Sequence, residues 1–237
     1  MKAMILAAGR GERMRPLTDK TPKPLLKAGG KSLIEHRIER LAAAGFEDLV
    51  INHAHLGAQI AAALGNGRRW GIRIRYSPEE QALETGGGIF RALRWLGPGP
   101  FVVVNADIWT DFDFRRLRRA PAGLAHLVLV PNPSQHPQGD FALSAGRVRY
   151  DGTPRYTFSG IGLYRPELFA GCRPGAFPLA PLLRAAMDRG QVEGELHAGR
   201  WFDIGTPERL HALDRMLRIS DDDAPLERHS DSTPSTP

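Results

Sequence analysis

A long loop near the N-terminus concentrates the residue types that bind phosphate groups. Gly9 and Gly11 let the backbone approach a ligand closely and turn its amide groups inward, which forms an anion-binding concavity. Arg13 and Lys23 add fixed positive charge to the same loop. The glycines alone would fit a plain strand-to-helix turn. The loop is neither a Walker A motif nor a dinucleotide fingerprint, because Met14 stands where the third glycine of the fingerprint belongs. The combination of residues in one loop of this length favours a functional site.

A second candidate is Asp107, which follows the apolar stretch Phe101–Asn105. This stretch predicts a buried strand, and ligands of open α/β sheets bind beyond the carboxyl ends of the strands. The carboxylate could bind a metal ion there or cap the next turn. A further contact could come from the run Thr85 to Gly88. This run either begins a helix and presents free amides to a ligand or forms a flexible linker.

The elements that must position these residues alternate between short apolar stretches and amphipathic ones. We predict strands at 4–7, 49–52, 72–76, 101–105 and 124–130, and helices at 33–44, 56–64, 88–95 and 114–119. Ser32 and Glu35 form a capping-box pattern at the start of the first helix. The second half predicts shorter strands at 141–143, 148–150 and 157–164, helices at 179–188 and 207–217, and a strand pair of 192–197 with 200–202. The expected fold class is therefore α/β: one Rossmann-like domain over residues 1–219, with a mostly parallel central sheet flanked by helices.

The amino-acid composition argues against several classes of protein, including disulfide-linked, membrane-spanning and nucleic-acid-binding proteins. The 237 residues include one cysteine, which excludes an intramolecular disulfide and a cysteine metal cluster and fits a reducing cytoplasm. No apolar run approaches the ~20 residues that a membrane span needs, so we expect no membrane partner. The net charge of +6 combines an acidic segment at 220–237 with a body of 31 basic and 21 acidic residues. Aromatic residues do not interleave with the arginines, so we expect no nucleic-acid partner. The polar, aromatic-free segment 220–237 is predicted to be a disordered tail.

The run from Leu6 to Thr18 and the Pro-Lys-Pro at 22–24 together resemble the signature of the sugar-1-phosphate nucleotidyltransferases. The resemblance extends to about Leu217 and leaves only the tail uncovered. It implies that the glycine-rich loop wraps a nucleoside triphosphate, with Arg13 on the leaving pyrophosphate and Lys23 on the α-phosphate. The nucleotide-binding residues that it implies are Ala8, Gly9, Gly11, Glu12, Arg13, Lys23, Glu79, Thr85 and Gly86.

The same resemblance implies a metal and a mechanism. Asp107, and Asp203 within a Trp-x-Asp-x-Gly-Thr-Pro element, match the family's Mg²⁺ ligands. Two carboxylates suffice, because Mg²⁺ completes its shell with phosphate and water oxygens. An oxygen of the sugar 1-phosphate attacks the α-phosphorus in line, and that phosphate is already largely ionised at neutral pH, so no general base is required. The expected catalytic residues are Arg13, Lys23 and Asp107.

The acceptor is inferred from what the chain lacks. Many relatives that use simple hexoses carry a Glu-Lys-Pro stretch, which is absent between Gly139 and Ser159. The chain instead resembles the branch of the family that transfers UMP from UTP to N-acetylmuramate 1-phosphate in cell-wall recycling, and Asn105, Asp140 and Ser159 would then bind the acceptor. The alternatives are a guanylyl- or thymidylyltransferase of mannose or glucose 1-phosphate, and a catalytically silent nucleotide-sugar sensor. The intact phosphate and metal residues argue against the sensor. We expect a monomer.

Two other patterns are interpreted as structural. His53 and His55 share a strand face and could form a metal pair, but no third ligand stands nearby in the sequence. Cys172 lies beside Arg173 but has no partner base, so we do not assign it a catalytic role.

Overall fold

The computed structural model of the protein describes residues 1–222. Their strands are β1 (Lys2–Leu6), β2 (Lys27–Ala28), β3 (Lys31–Ser32), β4 (Asp48–His53), β5 (Arg73–Pro78), β6 (Phe101–Asn105), β7 (Ile108–Thr110), β8 (Ala125–Val130), β9 (Phe141–Ser144), β10 (Arg147–Arg149), β11 (Arg155–Tyr164), β12 (Val192–Leu196) and β13 (Trp201–Asp203). Their α-helices are α1 (Leu33–Ala43), α2 (Gly57–Leu64), α3 (Glu84–Leu96), α4 (Ala180–Asp188) and α5 (Pro207–Asp222). Residues 220–222 thus continue α5, and the rest of the predicted tail lies outside the described residues.

Nine of these strands form the central sheet, in the order β5-β4-β1-β6-β11-β8-β12-β10-β9. Parallel pairing joins β1 to β4 and β6, β4 to β5, and β8 to β12. Of the nine, β10 and β11 run against the direction of the others. The prediction of an α/β domain with a mostly parallel central sheet is therefore confirmed.

Both faces of the sheet are covered, as the apolar strands predict. Along β1, Ala3 and Ile5 belong to one core cluster and Met4 to the other, because successive side chains point to opposite faces. Helices α1 and α2 contribute to the first cluster, and α3 and α4 to the second. A third cluster joins α5 to β2 and β7 and includes the fully buried Met14 of the loop after β1. Within residues 1–222, none of the helices combines the length and the apolarity that crossing a membrane requires.

The sheet register brings three strand ends to one edge. Leu6, the last residue of β1, is the register partner of Asn52 in β4 and of Asn105 in β6. The amide of Ala106 donates to the carbonyl of Leu6 at 3.0 Å. The loops that follow β1 and β6 therefore begin side by side, at the edge where the sequence predicts the ligand.

The capping box at the start of α1 is confirmed, since the Ser32 hydroxyl accepts from the Glu35 amide and the Glu35 carboxylate accepts from the Ser32 amide. The predicted helix at 114–119 is wrong. The segment forms a single 3-10 turn, Phe114–Leu117, whose two buried residues stand three positions apart and so share one face.

The predicted pairing of 192–197 with 200–202 is also wrong. β12 enters the central sheet instead, parallel to β8 and antiparallel to β10. β13 pairs with β7 in a separate two-stranded sheet. Because β8 and β10 take both edges of β12, no edge remains for a hairpin with β13. As a result, Asp203 in β13 lies opposite Ile108 in β7, outside the central sheet.

Candidate active site

The loop after β1 is closed by its own hydrogen bonds. Gly11 has a φ of 70°, a left-handed conformation that favours glycine, and precedes the 3-10 turn Glu12–Met14. The Thr18 hydroxyl donates to the carbonyl of Gly11 at 2.8 Å. A Cβ at Gly11 would lie 3.1 Å from the Cβ of Lys23, so the loop folds directly over this lysine.

Lys23 and Asp107 form an ion pair at the carboxyl edge of the sheet. The Lys23 Nζ lies 2.5 Å from the Asp107 Oδ2. Lys23 is only 8% exposed, whereas 33% of the Asp107 side chain is exposed to solvent. The structure therefore brings together two of the predicted catalytic residues, one from the loop after β1 and one from the end of β6.

A cleft of about 230 Å³ opens beside this ion pair. It is bounded by the loop after β1, the ends of β4 and β6, and the segment before α3. Five of the predicted nucleotide-binding residues line it: Ala8, Gly9, Lys23, Glu79 and Thr85. Gly11 and Glu12 lie outside its lining, in the folded part of the loop, and so does Gly86, where a Cβ would lie 2.6 Å from the Phe177 ring.

Asn52 ties the walls of this cleft together. Its Oδ1 accepts from the Ala7 amide at 2.9 Å, and its Nδ2 donates to the Glu79 Oε1 at 2.7 Å. The other carboxylate oxygen of Glu79 accepts from the Leu83 amide at 2.9 Å. Asn52 and Glu79 are both buried, which fixes the segment after β5 against the end of β1. Our sequence reasoning missed Asn52, although its position at the end of a buried strand gave the same signal as Asp107.

The glycine run belongs to the start of a helix and not to a flexible linker, so this part of the prediction is confirmed. The predicted free amides are not confirmed, because the Gly87 amide is already bonded within the protein. α3 starts at Glu84, whose φ of 58° is left-handed and unusual for a residue with a side chain. The Gly87 amide donates to the carbonyl of Phe177 at 3.0 Å. A Cβ on Gly87 would lie 2.2 Å from the Gly175 carbonyl oxygen. The glycine at this position therefore permits close packing of the helix against the segment at 175–177.

A second cleft, of about 330 Å³, adjoins the first. Asn105 and Asp107 line both clefts and mark their common edge. The predicted acceptor, metal and pyrophosphate residues that line the second cleft are Asn105, Asp107, Asp140, Ser159, Asp203 and Arg13. Most of the predicted site residues therefore line two clefts that share Asn105 and Asp107.

Asp107 and Asp203 are held together by the small sheet of β7 and β13. Asp203 is the register partner of Ile108, and the Ile204 amide donates to the Asp107 carbonyl at 2.8 Å. Arg209 donates to the Asp203 Oδ2 at 2.8 Å.

The donor set fits a divalent cation that is bound together with phosphate. Within the described residues, Oδ1 of Asp107 and Oδ1 of Asp203 accept no hydrogen bond. No group of three potential ligands among histidine, cysteine and acidic residues occurs in residues 1–222, so phosphate and water oxygens would have to complete the shell.

Asp140 is fixed by bonds to both of its carboxylate oxygens. Oδ2 accepts from the Phe158 amide at 2.8 Å, and Oδ1 lies 3.1 Å from the His136 Nε2. His136 lines the same cleft and was missed, because only the turn at 133–139 brings it there. The Ser159 hydroxyl donates to the Val128 carbonyl at 2.6 Å, so this predicted acceptor residue already bonds to a neighbouring strand.

Arg13 lies at the Asp203 end of the second cleft. A Cβ built at Gly205 would lie 3.2 Å from the Arg13 Nη2 and equally far from the Arg209 Nη1. Two guanidinium groups therefore converge near Asp203. Arg209 was missed, since one arginine in the first turn of a helix gives no sequence signal of its own.

A buried arginine lies directly behind Asp107. Arg37 on α1 is 0% exposed, and its Nη2 donates to the backbone carbonyl of Ile108. Burial, and then the neighbouring charge of Arg40, lower the pKa of the Arg37 guanidinium to about 9, while Asp107 acts in the opposite direction. Arg37 therefore remains charged at neutral pH.

The residues of the two patterns interpreted as structural line neither cleft. The His53 ring packs edge-on against Tyr76 at 5.8 Å, and burial lowers the pKa of its imidazole. Cys172 packs against the second core cluster.

Comparison with known proteins identifies relatives over nearly the whole chain. Residues 2–139 match the sequence model of the nucleotidyl transferase family. The chain is 53% identical over 220 residues to the N-acetylmuramate alpha-1-phosphate uridylyltransferase of Neisseria meningitidis serogroup B, covering 89% of this chain and 95% of that protein. It is 37% identical over 238 residues to the protein of the same name from Caulobacter vibrioides, covering 91% and 96%.

The fold has a close counterpart among solved structures. A Bacillus anthracis structure named as a glucose-1-phosphate thymidylyltransferase superposes with a TM-score of 0.82, covering 92% of this chain and 95% of that one. The sequence identity is 23%, so this likeness shows the fold alone.

Proposed function

Because this chain belongs to the nucleotidyl transferase family, we propose that it transfers UMP from UTP to N-acetylmuramate α-1-phosphate and releases pyrophosphate. The observation that carries this proposal is the pair of clefts that share Asn105 and Asp107. In an in-line transfer the acceptor oxygen and the leaving pyrophosphate lie on opposite sides of the α-phosphorus, so the acceptor needs a space of its own that adjoins the nucleotide at that phosphate. The relative with 53% identity is named as the enzyme of this reaction.

The first cleft is assigned to UTP. The backbone at Ala8 and Gly9 and the Glu79–Thr85 segment line the space for the uridine. Lys23 then lies at the α-phosphate, where its buried ammonium neutralises charge that builds up during transfer. Arg13 is assigned to the pyrophosphate that leaves. Because Arg13 lines the second cleft and not the first, this assignment requires the pyrophosphate of UTP to extend past Asp107 to the Asp203 end of the second cleft.

The second cleft is assigned to the acceptor. Asp140 is held by the Phe158 amide and by His136, so its free lone pairs keep a fixed direction toward the sugar. Asn105, which lines this cleft together with Asp107 and Asp140, is assigned to the sugar or its phosphate. N-acetylmuramate also carries a lactyl carboxylate, and His136 is a further polar group of this cleft, beside Asp140.

The chemistry requires positioning and charge neutralisation more than proton transfer. An oxygen of the acceptor phosphate attacks the α-phosphorus in line, and the bond to the pyrophosphate oxygen breaks. The acceptor phosphate is already ionised, so the site needs no general base. Asp107 and Asp203 would hold a Mg²⁺ ion, which when bound supplies charge neutralisation at the reacting phosphates.

The setting follows from the substrates. UTP is a cytosolic nucleotide, and the single cysteine fits a reducing compartment, so we place the enzyme in the cytoplasm, where it would act in peptidoglycan recycling. We further propose that it acts as a monomer.

A pyrophosphate-release assay with four nucleoside triphosphates and several sugar 1-phosphates tests the proposal. We expect UTP with N-acetylmuramate 1-phosphate to give the highest kcat/KM. A preference for GTP or dTTP with mannose or glucose 1-phosphate would replace the substrate assignment. Binding of nucleotide sugars without any turnover would favour a sensor.

A further inference from the structure

The buried face of α1 carries one charged residue. The residues of this helix that are buried are Leu33, Ile34, Arg37, Ile38 and Leu41. Their spacing follows the helical repeat, so Arg37 stands in the middle of an apolar stripe. Arginine is almost never fully buried unless it is paired, so this placement calls for a physical explanation.

Only part of the hydrogen-bonding capacity of the Arg37 guanidinium is used. Its Nη2 donates to the Ile108 carbonyl, whereas Nε and Nη1 are buried with no hydrogen-bond partner among the residues that the structure describes. The guanidinium lies 5.6 Å from the centre of the Phe114 ring, and this contact offsets part of the lost hydration. A charge buried with unpaired donors still costs stability, and an apolar side chain of similar volume at such a site is often neutral or stabilising.

The bond that Arg37 does make lies between the two acidic residues of the site. Ile108 follows Asp107 directly in the chain and is the register partner of Asp203 across β7 and β13. On the same small sheet, the Ile204 amide donates to the Asp107 carbonyl. A shift of the Ile108 carbonyl would therefore move the backbone that carries Asp107 relative to Asp203.

We propose that Arg37 is a positioning residue, which holds the Ile108 carbonyl and thereby fixes the spacing between Asp107 and Asp203. Arg37 lines neither cleft, so it does not contact a substrate there, and the bond through which we propose that it acts is the one to the Ile108 carbonyl. The proposal rests on the function proposed above for the two carboxylates. On this proposal, the buried arginine lowers the stability of the fold, and what it provides in return is the geometry of the reaction centre.

The test compares three variants of the full chain. Arg37→Met removes the charge and keeps most of the volume, and Arg37→Lys keeps the charge and one donor. Arg40→Met is the matched control, because Arg40 lies on the same helix and also has a buried Nε without a partner, but it makes no described bond to Ile108. The measurements are the melting temperature, kcat and KM with UTP and N-acetylmuramate 1-phosphate, and Mn²⁺ affinity by electron paramagnetic resonance in the presence of UTP.

For Arg37→Met we expect a melting temperature equal to or above that of the wild type. We expect kcat per folded molecule and Mn²⁺ affinity to fall by about tenfold or more, because the two carboxylates lose their fixed spacing. The KM for UTP should stay nearly unchanged, because Arg37 does not line the cleft that is assigned to UTP. Arg37→Lys should recover part of kcat, and Arg40→Met should retain the wild-type kcat and Mn²⁺ affinity.

Two results would overturn the inference. Wild-type kcat and Mn²⁺ affinity in Arg37→Met would show that the Ile108 bond does not set the geometry. Failure of Arg37→Met to fold would show that Arg37 serves stability instead. If the wild-type protein forms no UDP-sugar, the proposed function itself is refuted. This outcome is measured on the wild type alone, so it can be distinguished from a failure of the inference about Arg37.

Discussion

Replacement of Lys23 by alanine should reduce catalysis much more than it reduces stability. The Nζ that is removed lies 2.5 Å from Asp107 and is proposed to contact the α-phosphate. A charge-assisted hydrogen bond contributes about 1.5–3 kcal/mol, which corresponds to a loss of ~10- to 150-fold in kcat/KM.

The same structure limits the loss of stability. Breaking a fully buried ion pair costs about 3–5 kcal/mol, because the remaining charge stays unhydrated. The Asp107 side chain is 33% exposed, so water can hydrate it when Lys23 is gone. We therefore expect a cost nearer to ~1 kcal/mol, which lowers the melting temperature of a domain of this size by about 2–4 °C.

The assay measures pyrophosphate release and thermal melting on the same preparations. Lys20→Ala is the matched control, because Lys20 lies in the same loop but is exposed and lines neither cleft. Lys23→Arg should restore activity only in part, since a planar fork replaces a compact ammonium. A melting temperature that falls by more than about 10 °C while activity per folded molecule stays at the wild-type value would refute the reasoning.

Three further predictions follow from the site and its supports. Asp107→Ala and Asp203→Ala should each remove most turnover and leave residual activity that rises with Mg²⁺ concentration; wild-type rates at low Mg²⁺ would contradict the metal assignment. Asp140→Ala should raise the KM for the sugar phosphate by about tenfold and leave the KM for UTP nearly unchanged, and steady-state kinetics that show equal changes would place Asp140 elsewhere. Gly87→Ala should cost about 1–3 kcal/mol in urea unfolding, because its Cβ would meet the Gly175 carbonyl, whereas Gly99→Ala, with open space around it, should cost little; equal costs would refute the packing argument.

The parts of the fold that could be predicted are those that adjacent residues in the sequence determine. The Ser32–Glu35 capping box and the buried strand ending at Asn105 can be recognised from neighbouring residues, and both are confirmed. The predicted pairing of β12 with β13 is wrong. Whether a strand pairs with its neighbour in sequence or with a distant strand depends on which edges of the sheet are free. Local sequence carries no information on those edges.

The same limit applies to the candidate site. Lys23 and Asp107 could be found because each stands in a recognisable loop or strand end. Asn52 stands at a strand end and gave the same signal, but its bonds to Ala7 and Glu79 show only in the fold. His136 reaches the second cleft through a local turn, four residues from its partner Asp140. Arg37 becomes a candidate only through Ile108, which is far away in the chain. Arg37 is the clearest case: the helical spacing places it on the apolar face of α1, but only the fold shows which backbone carbonyl it bonds to.

The most direct test of the account is product identification from a competition mixture. The wild-type protein would receive equimolar UTP, GTP, ATP and dTTP with equimolar 1-phosphates of N-acetylmuramate, N-acetylglucosamine, glucose and mannose, and mass spectrometry would identify the nucleotide sugars that form. The account predicts UDP-N-acetylmuramate as the main product, with formation abolished by chelation of divalent cations. A different main product would contradict the substrate assignment, and the absence of any nucleotide sugar would contradict the proposed transferase activity itself.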